Sequence, residues 1–326
     1  MSEVLRNVQA IAYFIESHLL CRWSPPAKRV ALEAGASILL AVGDISLGID
    51  IGGTTVKVGA LREGEVLWTN RSARYSRPSS EQLVDAIKQA CGKLADPVGK
   101  VGLCVPGILD EDKRQVVVAT NVPGLVGVPL ADLVTRAIGV NEVEPVVVND
   151  ANATGFDIFS ISELGGRLLT IAIGTGVGAS VFDDGKPLFV DGESPGHIGQ
   201  VDVSIEGSRV TGPDGGRGGL EGYLGTRALR ARYGSAAASK IRPGHAPFRA
   251  LVRIIRICHA IYRPHHVCLA GGTGIRLGYL VEPLKKAVDG GLTNIARQDW
   301  TLFTAESDFH AAVGAARIAA SGSWPR

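Results

Sequence analysis

Cysteine is sparse in this chain and serves no framework. Its five cysteines, Cys21, Cys91, Cys104, Cys258 and Cys268, are odd in number among 326 residues and nowhere spaced C-x-x-C, which favours a reduced, cytoplasmic setting over disulfide pairing. Charge imbalance is equally lacking. The formal net charge is +2, with no basic run or basic-aromatic interleaving, so a dedicated nucleic-acid binder is disfavoured. No apolar run reaches membrane-spanning length, and the start of the chain lacks a basic segment followed by a signal-type apolar core. A soluble cytoplasmic protein is expected, with neither membrane nor nucleic acid among its partners. What remains is a hydrophobic content of 45% against 20% charged, enough for two lobes with sizeable cores.

The most informative positive feature is an internal repeat. LGIDIGGTTVKVGALREGEVLW, Leu47 to Trp68, and LTIAIGTGVGASVFDDGKPLF, Leu169 to Phe189, match in apolar alternation; Gly52 falls on Gly174, and Gly64 within one residue of Gly185. Each copy reads as a strand entering a glycine turn and leaving as a second strand that ends at an acidic-Gly hairpin turn. Glycine lets turn N–H groups approach an anion closely, and two such turns facing one another would clamp a polyphosphate.

The first 46 residues stand apart. Val4, Val8, Ile11, Ile15 and Leu19 share one face of a helix that should stop before Pro25, and a second helical stretch follows from Ala27 to about Leu40. An accessory helical pair is expected; a DNA-reading helix-turn-helix has little support, since the basic residues are few and scattered. After the first hairpin, Ser79 or Ser80 can N-cap a helix whose Leu83, Ile87, Ala90, Cys91 and Leu94 form the buried stripe. Val101–Val105 and Pro145–Val148 read as strands covered on both faces. Asp191 to Tyr223, rich in Gly, Ser and Asp, reads as a site-building loop. Helices should fill much of 226–263, a strand and glycine turn follow at HHVCLAGGTG, and a last helix carries Ala311, Gly314, Ala315 and Ile318.

Chemistry concentrates at two places. Asp50, Gly52, Gly53, Thr54, Thr55 and Lys57 give the pattern D-x-G-x-T-x-x-K, in which the carboxylate can hold a magnesium ion through its hydration shell while hydroxyl and ammonium groups reach phosphate oxygens. Val146–Val148 runs into Asn149 and Asp150. A carboxylate at the C-terminal end of a buried strand stands where α/β folds place ligands, and it is equally a good N-cap for the next helix.

These motifs together, with Pro106-Gly107, NVPGLVGVPL from Asn121, GTGVG from Gly174 and AGGTG from Ala270, resemble the ROK family of sugar kinases and related repressors. The resemblance implies an α/β, two-lobed, actin-like (ribonuclease H-like) ATPase fold with duplicated phosphate-binding hairpins. Residues 47–164, completed by 310–326, would form one lobe and 165–309 the other. It implies ATP and Mg2+ as cofactors, Asp150 as general base toward a hydroxyl of a sugar or cyclitol, and Asn121, Gly124 and Asn149 as sugar contacts. Gly174, Thr175, Gly176 and Gly178 would bind nucleotide phosphates, and Gly271, Gly272 and Gly274 would lie near the adenosine. A homodimer is expected. A ROK-type transcriptional regulator and a non-catalytic sugar sensor are the alternatives.

One departure from the family pattern is plain. Family members carry E-x-G-H followed by C-x-C-G-x-x-G-C-x-E, whose histidine and cysteines hold a structural zinc. Here His197 aligns with the first glutamate, Gln200 with the zinc histidine, and Gly212, Asp214 and Gly219 with the cysteines. Gln and Gly cannot supply a tetrahedral zinc shell, so no structural zinc is expected. Glu221 survives as a sugar-binding carboxylate, with His197 and Gln200 as further candidate contacts.

Overall fold

The structure is a computed structural model that describes residues 44–322 apart from 93, 95, 120, 141–142, 191–194 and 214. The expected N-terminal helical pair lies outside the described residues, and Ile45 and Ser46 already belong to the first strand.

Twelve strands are described, and ten of them form two five-stranded sheets. The first contains β1 (Ile45–Ile51), β2 (Val56–Arg62), β3 (Glu65–Arg71) and β4 (Val98–Cys104). After the small ribbon of β5 (Ile108–Leu109) and β6 (Val116–Val118), β7 (Val146–Val148) completes it in the order β3-β2-β1-β4-β7. The second contains β8 (Arg167–Ile173), β9 (Val177–Asp183), β10 (Lys186–Pro187), β11 (His266–Ala270) and β12 (Thr301–Thr304), in the order β10-β9-β8-β11-β12. In both, the first three strands form an antiparallel meander and the last two run parallel to the first. The repeat visible in two hairpins therefore extends over five strands. Even the outer turns match: Glu63 and Gly64 lie at φ 51° and 87°, Asp184 and Gly185 at 45° and 82°, the paired positive φ values that join right-twisted strands through a type I′ turn.

Each sheet is covered on both faces, which explains why its central strands are apolar throughout. Ile45, Leu47, Ile49 and Ile51 face α1 (Ser80–Cys91) and α2 (Leu130–Ile138). A reciprocal capping box between Ser79 and Gln82 starts α1, and Gly92 at φ 62° ends it. Leu94 thus falls beyond the helix rather than on its stripe, although it still packs on the same core. In the second sheet, alternation directs Leu169, Ile171 and Ile173 toward α4 (Glu221–Leu224), α5 (Thr226–Tyr233), α6 (Ala246–Tyr262) and α8 (Val281–Asp289). Leu168 and Cys268 join Ile158 of α3 (Asp150–Ile161) on the other face. The AGGTG segment folds as a single helical turn, α7 (Gly271–Gly274).

The last helix, α9 (His310–Ser321), lies against the first sheet and α3 against the second, and the two helices pack on one another. Their contact is backbone on backbone. A Cβ on Gly48 or Gly102 would stand 1.8 or 2.0 Å from the carbonyl oxygens of Ala312 or Ala315, and one on Gly314 1.9 Å from that of Ala153. Among the described residues no helix is long and apolar enough to cross a membrane.

Candidate active site

The first glycine turn is fixed from within and from behind. Gly52 N–H donates to the Thr55 carbonyl at 3.0 Å, Tyr75 N–H to the Thr54 carbonyl at 2.9 Å, and the Tyr75 hydroxyl to the Gly52 carbonyl at 2.6 Å. Antiparallel pairing sets Asp50 opposite Lys57, with the ammonium 3.7 Å from Asp50 Oδ2. That partner does not offset the desolvation. Burial drives the Asp50 pKa upward against the pull of Lys57, and the neighbouring carboxylates Asp150 and Asp308 push the same way, to about 6.

Asn149 takes the N-cap role that the sequence offered to Asp150. Asn149 is the N-cap of α3, its Oδ1 accepting from the N–H groups of Ala151 and Asn152 at 3.0 and 3.1 Å. Asp150 is left as the first helical residue, exposed to solvent at the end of β7. Its carboxylate accepts the Ala151 N–H at 2.8 Å. Desolvation by the surrounding protein raises its pKa, opposed by the hydrogen bond from Ala151, by Lys57 and by its own backbone N–H. Two carboxylates with raised pKa values thus share the field of one lysine.

The second glycine turn faces the first. A Cβ on Gly53 would lie 3.1 Å from Thr175 Oγ1 and 3.4 Å from Asn121 Cβ, so Gly53, Thr175 and Asn121 meet at one place. The Gly174 carbonyl accepts from both the N–H and the hydroxyl of Thr226, at 3.0 and 2.6 Å, and Thr226 Oγ1 lies 3.2 Å from Thr273 Oγ1 of α7. Gly271, at φ 74°, packs where a Cβ would stand 2.7 Å from the Ile173 carbonyl. The nucleotide-side candidates Gly174, Thr175, Gly176, Gly271, Gly272 and Gly274 are thereby joined in one wall. Gly178 lies within β9, where it admits the first turn of α3 at Ala151. Gly124 packs on the start of α1, and its N–H is occupied by the Pro78 carbonyl at 3.1 Å.

Glu221 packs against the second glycine turn. Its Oε2 accepts the Val177 N–H at 3.0 Å and stands where a Cβ on Gly176 or Gly199 would collide with it. His197 and Gln200 are exposed, His197 preceding and Gln200 ending the 3-10 turn Ile198–Gln200 that carries Gly199. Of the positions aligned with the zinc ligands, Asp214 lies outside the described residues. Gln200, Gly212 and Gly219 sit in a segment closed by other means: Val203 N–H to the Gly218 carbonyl, Gly218 N–H to that of Val210, and Leu220 N–H to that of Val201. Beneath it the buried Tyr223 hydroxyl accepts the Ile205 N–H at 3.0 Å and donates to the Ser208 carbonyl at 2.8 Å. The stretch read as a loop is thus a set of short bridges around Tyr223.

Three charged residues of the site carried no readable signal. Asp308 Oδ1 accepts from Arg71 at 2.7 Å, and Arg276 donates to the Gly272 carbonyl at 2.8 Å. Although burial works against it, the hydrogen bond from Arg71 and the charges of Lys57, Arg71 and Arg276 hold the Asp308 pKa below its ordinary value. A carboxylate before a run of alanines and an arginine ending an edge strand have no local pattern that brings them together. Among the described residues no group of three His, Cys, Asp or Glu is placed to hold a metal, whereas Asp50 is a buried carboxylate short of positive charge beside two others.

A two-sheet protein with opposed glycine turns and a carboxylate between them invites comparison with known proteins. The ROK family profile matches residues 46–321, and the chain belongs to that family. Among characterised proteins, the N-acetyl-D-glucosamine kinase of Escherichia coli O7:K1 is 28% identical over 205 residues, 57% of this chain. The match spans 64% of that relative's length, a little under two thirds. Among solved structures, a ROK family glucokinase from Streptomyces griseus in complex with glucose and AMPPNP superposes with a TM-score of 0.68 at 24% identity, over 85% of this chain and 100% of that one. A ROK family transcriptional regulator, homologue of the Escherichia coli MLC protein, superposes with a TM-score of 0.64 at 16% identity, over 85% and 78%. The fold is the actin-like ATPase fold.

Proposed function

We propose that the protein is an ATP- and magnesium-dependent kinase acting on a hydroxyl of a sugar or sugar-like polyol. The observation that carries this reading is Asp150: an exposed carboxylate at a strand end, its basicity raised by the surrounding protein, within electrostatic reach of Lys57 and Asp50. Asp150 would accept the proton of the substrate hydroxyl, whose oxygen attacks the terminal phosphorus of ATP as the bond to ADP breaks. Lys57 and the N–H groups of the two glycine turns would hold the phosphates in line, and Asn121 and the free Nδ2 of Asn149 would position the sugar. Asp50 would hold magnesium through the ion's water shell, and the ion would neutralise charge on the phosphates. The proposed lobes, 47–164 with 310–326 and 165–309, each hold one sheet, with α3 reaching across to the second. A cytoplasmic homodimer accompanies the proposal, and mass photometry reads the assembly.

Asp150→Asn should lower kcat by about two to four orders of magnitude, the usual worth of a general base, while sugar affinity changes little. Near-normal turnover would refute the assignment. A regulator or sensor would instead bind sugar without consuming ATP in a screen over hexoses, amino sugars and cyclitols.

His197 shapes the substrate expected. Where the family pattern has a glutamate that accepts two hydroxyl hydrogen bonds, an imidazole both donates and accepts, and mismatched hydrogen bonds discriminate strongly. Glucose should be a poor substrate and a modified sugar or cyclitol preferred; the E. coli relative, named for an N-acetylated sugar, points the same way. If glucose gives the highest kcat/KM and His197→Glu leaves the ranking untouched, His197 does not select the substrate.

A further inference from the structure

Helix α6 buries Leu251, Ile254, Ile255 and Cys258 in the core beneath the second sheet. Its opposite face is basic. Arg249, Arg253 and Arg256 follow one another at helical spacing, Arg263 follows the helix end, and all four are exposed. Between this face and the segment from Gly291 to Ala296 lies a cavity of about 640 Å³ that shares no lining residue with the glycine turns. Arg253, Arg256 and Arg263 line it, and no aspartate or glutamate does. Arg256 and Arg263 take part in no ion pair among the described residues. Arg253 donates to the Ser204 carbonyl and lies near Asp202. Guanidinium groups left without carboxylates around a concavity form a site for an anion, and their planar forks match phosphate oxygens.

A second observation, independent of charge, points to a ligand at the same place. His259 lines the cavity and is 1% exposed, yet neither of its ring nitrogens has a hydrogen-bond partner. Its ring meets Trp300 edge to face at 4.5 Å. Burial, assisted by the charges of Lys285 and Arg297 and opposed by Asp289, pushes its pKa down to about 4. At neutral pH it therefore offers one donor and one acceptor, both unused. Both nitrogens are closed to solvent; a buried polar pair without partners costs free energy, and a polar group that displaced their cover on binding would recover it.

We propose that this cavity binds a small phosphorylated organic molecule, its phosphate on Arg256 and Arg263, a hydroxyl or amide on His259, and its apolar part against Ile257 and Ile295. Size favours an organic phosphate over the inorganic ion. The volume lies in the range of sites for drug-sized ligands, roughly 300–1,000 Å³, most of which inorganic phosphate would leave vacant. Gly291 supports the geometry: a Cβ there would stand 2.6 Å from the Arg256 guanidinium, so only the bare backbone lets that side chain lie across the turn. The proposal does not rest on the kinase reading.

Isothermal titration of the full chain with glucose 6-phosphate, AMP and 3-phosphoglycerate tests it, with Lys57→Met as the control that weakens the cleft. At least one probe should bind with sub-millimolar affinity, unaffected by Lys57→Met and weakened about tenfold or more by Arg256→Glu, the scale of a lost charge-assisted contact. Gly291→Ala, which displaces the guanidinium without changing charge, should weaken the same probe several-fold, and it decides the matter should Arg256→Glu fail to fold. Absence of binding by all three probes, or binding that Lys57→Met abolishes and the cavity variants leave intact, would overturn the proposal.

Discussion

Asp50→Asn should make the protein more stable and less active, and the gain should depend on pH in a defined window. The Asp50 carboxyl titrates near 3.8 in the unfolded chain and at about 6 in the fold. A carboxyl raised on folding contributes stability that is fully present below pH 3.8 and is lost as pH rises through 6; above that, the ionised group costs the fold about 3 kcal/mol. About 2 kcal/mol of this develops between pH 4.5 and 7.5. Asparagine occupies the same volume and does not titrate. For a chain of 326 residues the difference in Tm between variant and parent should therefore widen by roughly 3 °C across that interval. Differential scanning calorimetry without nucleotide or divalent ions, at four pH values, measures it. Adding magnesium and a non-hydrolysable ATP analogue should narrow the gap at pH 7.5, because a ligand that stabilises the ionised carboxylate helps only the parent. A Tm difference that stays constant from pH 4.5 to 7.5 would refute the account of Asp50 as a carboxylate held charged at the fold's expense.

Three further predictions concern how the fold is held. Tyr223→Phe should destabilise by about 1–3 kcal/mol, because the Ile205 N–H and Ser208 carbonyl lose their buried partner; a denaturant midpoint unchanged at constant slope would show that water replaces the hydroxyl without cost. Elemental analysis should find no stoichiometric zinc, and a strong chelator should leave Tm unchanged; one tightly held zinc per chain would mean that a ligand set has been overlooked. Gly102→Ala places a methyl 2.0 Å from the Ala315 carbonyl and should cost about 1–3 kcal/mol or more as an overpacked contact, read by thermal melting; an unperturbed Tm would show that α9 can withdraw from the sheet freely.

The parts of the site that were legible are those in which one short segment carries its own instructions. Asp50 to Lys57 is a strand, a turn and a strand, so alternation and glycine spacing specify both the hairpin and the carboxylate opposite the lysine. The second hairpin repeats the instruction, and even the outer turns at Glu63 and Asp184 announce themselves as acidic-Gly pairs. What could not be read is whatever two distant segments create jointly. Arg71 and Asp308 are 237 residues apart, and neither has a local pattern. Which of Asn149 and Asp150 caps α3 is a matter of which side chain turns back onto the helix, and either residue can cap. Gly271–Gly274 reads as a loose turn because glycine disfavours helix. Its conformation is instead set by close approach to the Ile173 and Leu269 backbones, a constraint that only the assembled sheet imposes.

The same logic identifies what joins the two sheets. Asp157 on α3 is 2% exposed, and both its oxygens are engaged from α9: Oδ2 with His310 Nδ1 and Oδ1 with Arg317 Nε, each at 2.7 Å. Arg317 also donates to the Gly64 carbonyl at 2.6 Å in the outer turn of the first hairpin. One buried carboxylate therefore links the helix under the second sheet, the helix under the first, and the far end of the hairpin whose near end carries Asp50. Breaking a buried ion pair on one side leaves an uncompensated charge at a cost of about 3–5 kcal/mol, and the Gly314–Ala153 contact beside it admits no Cβ. Motion between the sheets that preserved these contacts would turn about the α3–α9 crossing.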